Sequence, residues 1–425
     1  MNELLLAAML FGIVLIAGVS ERVRNTIVTL PMLYTLFGLA VALLLSDRIS
    51  VSYDNPLVEI VGTLTLVLLL ASDSSRIAFG AIIKNYSLPL RLLGIGLPLT
   101  ILLGALITSW MFGSMGVWTA AILAVILAPT DDSIAESVID NKKVPSRIRQ
   151  ALNIEGGLND GIAMPFLLLF IALAASSADQ IGSGIFLRTL LAQIGFGLLV
   201  GATLGYVGDK YISAAGDRGW MSPLFQKLAT LALILLVFVL AEAIGGNGYV
   251  ASFAFGIVVG NTMAAASQEP IYEFGKTEYT LLMILTYMFF GMIMLPQALA
   301  SINLTQVLYA VLSLTVVRMV PVAISLIGSH LRPLSVLFMG WFGPRGIASI
   351  LYVLLVVEEP DIGSKGILFN AAMLTVFLSI MLHGMTAAPL ANWYGERMSA
   401  MQARGAADAE TQSVPEVATR SGVVA

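Results

Sequence analysis

"VILAPTDDSI", residues Val125 to Ile134, sets a proline, a threonine and two adjacent aspartates inside a run otherwise fit for lipid. Proline removes a backbone donor and clashes with the preceding turn, and a carboxylate at the centre of a membrane helix costs roughly 2.5–3.5 kcal/mol on insertion scales. A chain that keeps both features predicts a broken helix with a use for negative charge. The whole sequence agrees: of 425 residues 58% are hydrophobic and 11% charged, and the mean hydropathy is +0.91, outside the soluble globular range. Segments of bilayer-spanning length are read at 3–19, 27–45, 57–72, 89–111, 115–138, 148–174, 184–207, 226–244, 248–265, 278–297, 306–328, 334–357 and 366–390. The fold class is an all-α polytopic membrane protein of about thirteen helices.

The first segment lacks the basic start and small-residue cleavage site of a signal peptide and is read as a span. Orientation follows from the basic residues. With the N-terminus outside and the C-terminus cytoplasmic, seventeen Lys and Arg fall in inner loops and the tail, against Arg48, Arg188 and Lys365 outside. Arg318 and Arg345 fall inside spans and need another explanation. Cysteine is absent and His330 and His383 are the only histidines, too few for a zinc or haem site, so no cofactor is expected. Nothing in the sequence asks for nucleic acid.

Span twelve repeats the interruption of span five: "FGPRG", Phe342 to Gly346, matches "APTDD", Ala128 to Asp132. These are the fifth spans of two groups of six, so an odd middle span makes the groups an inverted repeat, the plan of many secondary transporters. Gly343 and Gly346 are expected to relax the backbone there. Irregular backbone at that depth is tolerated only where protein or a water-filled cavity surrounds it.

The ionisable residues in spans are Asp73, Asp131, Asp132, Glu136, Glu155, Asp160, Glu242, Arg318 and Arg345. Glu242, near a span end, is read as reaching the interface. In "ALNIEGGLNDGIAMP" a helix places Gly156 on the face of Asp160 and turns Glu155 about 140° away, so the two carboxylates meet different surroundings. One can hold a permanent partner while the other exchanges ions. A buried arginine needs an anion, and Glu155 and Asp73 are the candidates for Arg318 and Arg345. Asp132, Glu136 and Asp140 are four apart and form one acidic stripe leading inward.

These residues resemble the first cation-proton-antiporter family, the monovalent cation/proton antiporters of bacterial sodium/proton exchanger type. The resemblance runs through "LLLASDSSRIAFGAIIK" (Leu68 to Lys84), "APTDDSIAESVIDNKKVPSRIRQALNIEGGLNDGIAMP" (Ala128 to Pro165), "VVRMVPVAI" (Val316 to Ile324), "GWFGPRGIASILY" (Gly340 to Tyr352) and "LSIMLHGMTAAPLANWY" (Leu378 to Tyr394). It implies exchange of Na⁺, with Li⁺ or K⁺ as alternatives, for protons by a homodimer in the cell (inner) membrane. It implies a transmembrane unit over 1–396, with a dimerisation part at about 1–75 and 226–297, a moving core at about 89–174 and 306–390, and a linker helix at about 184–207. The tail 397–425 is polar and expected to be disordered. The resemblance assigns cation and proton binding to Asp160, support to Asn159, cation coordination to Thr130, Asp131 and Asp73, a buried ion pair to Glu155 and Arg318, and a second structural role to Arg345.

Two positions depart from the family pattern. The residue after the motif aspartate, usually small or proline, is Asp132, either a helix N-cap without ion contact or an added ligand. The usual hydroxyl one turn before Asp160 is Gly156, which is expected to leave a gap for water. Intramembrane aspartyl proteolysis would need "YD" and "GxGD" contexts that neither Asp131 nor Asp160 has. A channel or a cation-coupled symporter of a small solute remains the rival reading.

Overall fold

Runs of apolar residues bounded by prolines and short polar caps dictate the elements. The computed structural model describes residues 3–23, 26–45, 55–76, 87–176, 184–262, 278–360, 362–404, 409–412 and 414, and all regular structure among them is helical. Besides a four-residue helix at Ser20–Val23, the helices in chain order are α1 (Glu3–Ala17), α2 (Leu30–Leu44), α3 (Pro56–Ser75), α4 (Ser87–Met111), α5 (Val117–Ile126), α6 (Glu136–Ile139), α7 (Ser146–Ala175), α8 (Ile185–Asp217), α9 (Pro223–Ala243), α10 (Gly248–Thr262), α11 (Glu278–Ala300), α12 (Leu304–Ser325), α13 (Pro333–Trp341), α14 (Ile347–Glu358) and α15 (Lys365–Gln402). By length and composition α3, α4, α7, α8, α9, α11, α12 and α15 can cross a membrane, while α1, α2, α5, α10 and α14 are shorter apolar helices. Each segment expected from the sequence falls on a member of these two groups.

The starts obey local chemistry. Proline opens α3, α9 and α13, where its missing N–H is no loss. Asn303 and Gln306 cap α12 reciprocally, satisfying two donors that a helix start leaves open. Glu242 does more than reach the surface, because its carboxylate accepts from Gly248 N at 2.6 Å where α10 begins. Large apolar side chains such as Phe11, Trp110, Leu199 and Val239 face outward, and charged groups lie within. That inversion of the soluble pattern is what a lipid-facing bundle requires.

Both expected interruptions are present. α5 stops at Ile126 and helix resumes only at Glu136, and α13 stops at Trp341 before α14 starts at Ile347. α7, which carries Glu155 and Asp160, packs on α3, α4, α5 and α10. The expectation of a disordered tail fails where the tail is described. α15 continues to Gln402, Glu410 is buried and accepts from Arg332 N at 2.7 Å and Ser335 Oγ at 3.1 Å, and Val414 joins Leu93, Ile154 and Leu158 in an apolar cluster. Polar composition missed that one glutamate matches the open start of α13. Residues 405–408, 413 and 415–425 lie outside the described residues, as do the motif end 77–84 and the basic residues Arg24, Arg48, Lys84, Lys276 and Arg420.

Candidate functional site

The two interruptions hold each other. Asp131 N donates to Pro344 O at 2.8 Å. The Asp131 carboxylate then crosses to the start of α14, where Oδ2 accepts from Ile347 N at 2.7 Å and from Tyr287 Oη at 2.8 Å, while Oδ1 accepts from Ser133 N at 2.9 Å. An anion at a helix N-terminus is stabilised by the partial positive charge there. Arg345 answers at the other end of the exchange. Its Nη1 donates to Ala128 O at 2.8 Å and Pro129 O at 3.0 Å, and Ser349 Oγ donates to Ile126 O at 2.7 Å. These are carbonyls that the end of α5 leaves without helical partners.

Arg345 is fully buried; its hydrogen bonds go to that helix end, and the acid in whose field it lies is Glu155, a correction to the expectation that Asp73 serves it. Asp73 is paired with Arg76, the C-cap residue of α3. An arginine at i+3 on the same helix is nearer than one across the bundle. Glu155 and Arg318 form a bidentate pair at 2.5 and 2.8 Å, both side chains buried.

On α7, Asn159 Nδ2 donates to Thr130 Oγ1 at 2.7 Å, tying the face of Asp160 to the first interruption. Asn159 Oδ1 is buried with no hydrogen-bond partner among the described residues. Asp160 is 3% exposed, and its backbone carbonyl accepts from Tyr352 Oη at 2.5 Å. The structure therefore joins Thr130, Asp131 and Asn159 at the crossing, with Asp160 beside Asn159 on α7. Asp73 lines the same cavity as Asp132 and Ser133. Among the described residues no three acidic or histidine side chains converge at metal-binding range.

The two glycines of "FGPRG" serve proximity. Neither has a positive φ. A Cβ on Gly343 would lie 2.3 Å from Arg318 Nε, and one on Gly346 would lie 2.1 Å from Asp131 Oδ2. Gly346→Ala is therefore expected to push the Asp131 carboxylate off Ile347 N–H. Loss of a hydrogen bond to a charged group is worth about 1.5–3 kcal/mol, so the stability of purified protein should fall by about that amount, seen as a lower melting temperature, together with transport. An unchanged melt would show that the Asp131 cap does not hold the crossing.

A cavity of about 740 Å³ opens at one end of the bundle, lined among others by Asp73, Arg76, Asp132, Ser133, Glu136 and Asp140. The acidic stripe at 132, 136 and 140 thus lies along one space. The cavity reaches Asp132 and Ser133 and includes neither Asp131 nor Asp160 in its lining. The N-cap alternative for Asp132 and the gap expected at Gly156 are both corrected. Helix α6 starts at Glu136 with Ala135 at the cap position and no side-chain cap bond, so Asp132 is not an N-cap. The space at Gly156 holds the Asp132 carboxylate, whose Oδ1 would be 1.9 Å from a Cβ there. No room is left for the water the sequence suggested.

Sequence reasoning missed Tyr287, Tyr352 and Ser133, which with Asp131 and Asp160 complete the polar network; Ser133 Oγ lies 3.2 Å from Tyr287 Oη. The available signal was that a buried tyrosine hydroxyl must find a partner.

Compared with known proteins, the chain matches the family described as sodium/hydrogen exchanger, transmembrane, over residues 6–393. It is 22% identical over 405 residues to the K(+)/H(+) antiporter NhaP of Alkalimonas amylolytica, covering 92% of this chain and 67% of that one. To the K(+)/H(+) antiporter NhaP2 of Shewanella oneidensis it is 23% identical over 314 residues, covering 71% of this chain and 52% of that one, so it spans about half the length of this relative. Its fold is similar to the sodium proton antiporter MjNhaP1 from Methanocaldococcus jannaschii at pH 8, with a TM-score of 0.75 and 20% identity over 92% of this chain and 98% of that one.

Proposed function

The chain belongs to the sodium/hydrogen exchanger family, and from that premise we propose that it exchanges Na⁺, with Li⁺ as a congener, for H⁺ by alternating access at Asp160. The observation that carries the reading is the reciprocal capping of two interrupted helices beside a buried carboxylate. One charge from each interruption neutralises an end of the other's helix, and Asp160 lies buried beside that crossing on α7, next to the Asn159 that holds Thr130. A proton or a cation can neutralise Asp160, but not both at once. Exchange then follows from competition at one group.

In this proposal the chain crosses the membrane thirteen times as a six-plus-six inverted repeat, N-terminus outside and C-terminus cytoplasmic, and works as a homodimer. The core, about 89–174 and 306–390, moves against the dimerisation part, about 1–75 and 226–297, with about 184–207 as linker. The acidic cavity is the cytoplasmic entrance. A K⁺/H⁺ reading is supported by relatives that carry that name. Proteoliposomes holding a pH-sensitive dye and given Na⁺, Li⁺ or K⁺ gradients in turn decide the cation, and proton movement with none of the three would overturn the proposal.

Stoichiometry follows from the same residues. Position 159 is Asn, not a second Asp, so one titrating carboxylate handles one proton per Na⁺ and transport is electroneutral. No steady current is expected on a solid-supported membrane under a Na⁺ gradient. A sustained, potential-dependent current that disappears in Asp132→Ala would show that a second proton moves.

A further inference from the structure

We propose that Asp132 is a specificity-determining cation contact, supplying from the first interruption the ligand that α7 omits at Gly156. The inference rests on the exchange reading above and adds to it the residue that sets which monovalent cation is taken. Gly156, Asn159 and Asp160 stand at i, i+3 and i+4, hence on one face of α7. The Asp132 carboxylate lies on that face, with Oδ1 at 1.9 Å and Oδ2 at 2.5 Å from where a Gly156 Cβ would be, the closest such approach at any described glycine. Two chain positions therefore share one volume: a side chain at 156 and the carboxylate of Asp132 cannot coexist there.

Three further observations give that volume a use. Asp132 is 6% exposed yet lines the cavity, whereas Asp131 and Asp160 do not, so an ion entering from the cavity meets Asp132 before the buried pair. The Asp131 carboxylate is engaged by Ile347 N, Tyr287 Oη and Ser133 N, which makes it a cap holding the two interruptions. Asn159 turns its amide nitrogen to Thr130 and keeps Oδ1 buried without a hydrogen-bond partner among the described residues, on the same face of α7. A hard cation that gives up water needs oxygen ligands in exchange. Asp132 offers a charged one and Asn159 Oδ1 a neutral one, beside the Asp160 carboxylate that changes its charge.

The charge of this ligand matters for selectivity. A carboxylate has a stronger field than a hydroxyl or a water and favours the ion with the higher charge density, so Asp132 biases the site toward Na⁺ and Li⁺ over K⁺. Asp132 stays ionised through the cycle in this scheme and carries no proton of its own. The one-for-one exchange at Asp160 is preserved.

The test uses full-length protein in proteoliposomes with a pH-sensitive dye, titrating Na⁺, Li⁺ and K⁺ separately. In Asp132→Asn the apparent KM for Na⁺ should rise about tenfold or more, equivalent to about 1.4 kcal/mol or more of lost binding. The Na⁺ to K⁺ preference should shift toward K⁺ while the maximal rate changes much less. Gly156→Ser alone should raise KM as strongly, because the new side chain expels Asp132. Gly156→Ser combined with Asp132→Ala removes the clash and returns a hydroxyl to the face, so it should recover much of the affinity with a weaker preference for Na⁺. Wild-type KM and cation order in Asp132→Asn overturn the inference, as does a loss confined to the maximal rate or a double variant no better than Gly156→Ser. Wild-type protein that moves none of the three cations against protons overturns the exchange reading instead.

Discussion

Replacing Asp160 with Asn is expected to abolish cation-driven proton movement, down to the background of protein-free vesicles, while the protein still folds and reaches the membrane. The two side chains are nearly the same size, and the backbone of residue 160 is held by Tyr352 Oη on its carbonyl, a contact the substitution leaves alone. Asp160 is 3% exposed, so water cannot substitute for its charge. An amide neither gives up a proton nor neutralises a cation, so both halves of the exchange fail together. That is the signature of a shared group. A variant defective only in cation affinity would still move protons at high Na⁺, and proton movement at any cation concentration in well-folded Asp160→Asn would remove Asp160 from the mechanism.

The same physics explains how much could be read without coordinates. The interruptions were legible because Pro129 and "FGPRG" are incompatible with continuous helix, and Glu155 with Arg318 because a lone buried charge is untenable. The hydrogen-bond acceptors of Arg345 were not legible. Its acceptors, Ala128 O and Pro129 O, are backbone atoms that become available only once α5 has ended, and side-chain bookkeeping cannot see them. Asp132 and Gly156 each looked like a separate departure, one adding a charge and the other deleting an atom. Packing makes them one event, since the carboxylate fills the deleted volume. The tail failed for a related reason: composition averages over Glu410 and Val414, whereas the bundle offers each a specific seat.

Breaking the Glu155–Arg318 pair should damage stability before chemistry, and the two single variants should differ in a predictable order. Removing one member of a buried ion pair costs about 3–5 kcal/mol because the survivor is left charged and desolvated. Here the survivors are unequal. Glu155 attracts Arg345 as well as Arg318, and the two arginines repel one another, so Glu155→Ala leaves two buried guanidinium groups without their shared anion. Arg318→Ala leaves Glu155 with Arg345 still in its field. Arg345 keeps its carbonyl acceptors in both variants, and these offset only part of the loss. Glu155→Ala is therefore expected to melt lowest in a detergent thermal-shift series, Arg318→Ala next, and Glu155→Leu combined with Arg318→Met should regain part of the difference, because an apolar pair of similar volume has no charge to strand. Single variants that melt like wild type would show that the pair does not hold the core. The reverse order would show that Arg345 draws its stability from the end of α5 alone, with Glu155 contributing nothing to it.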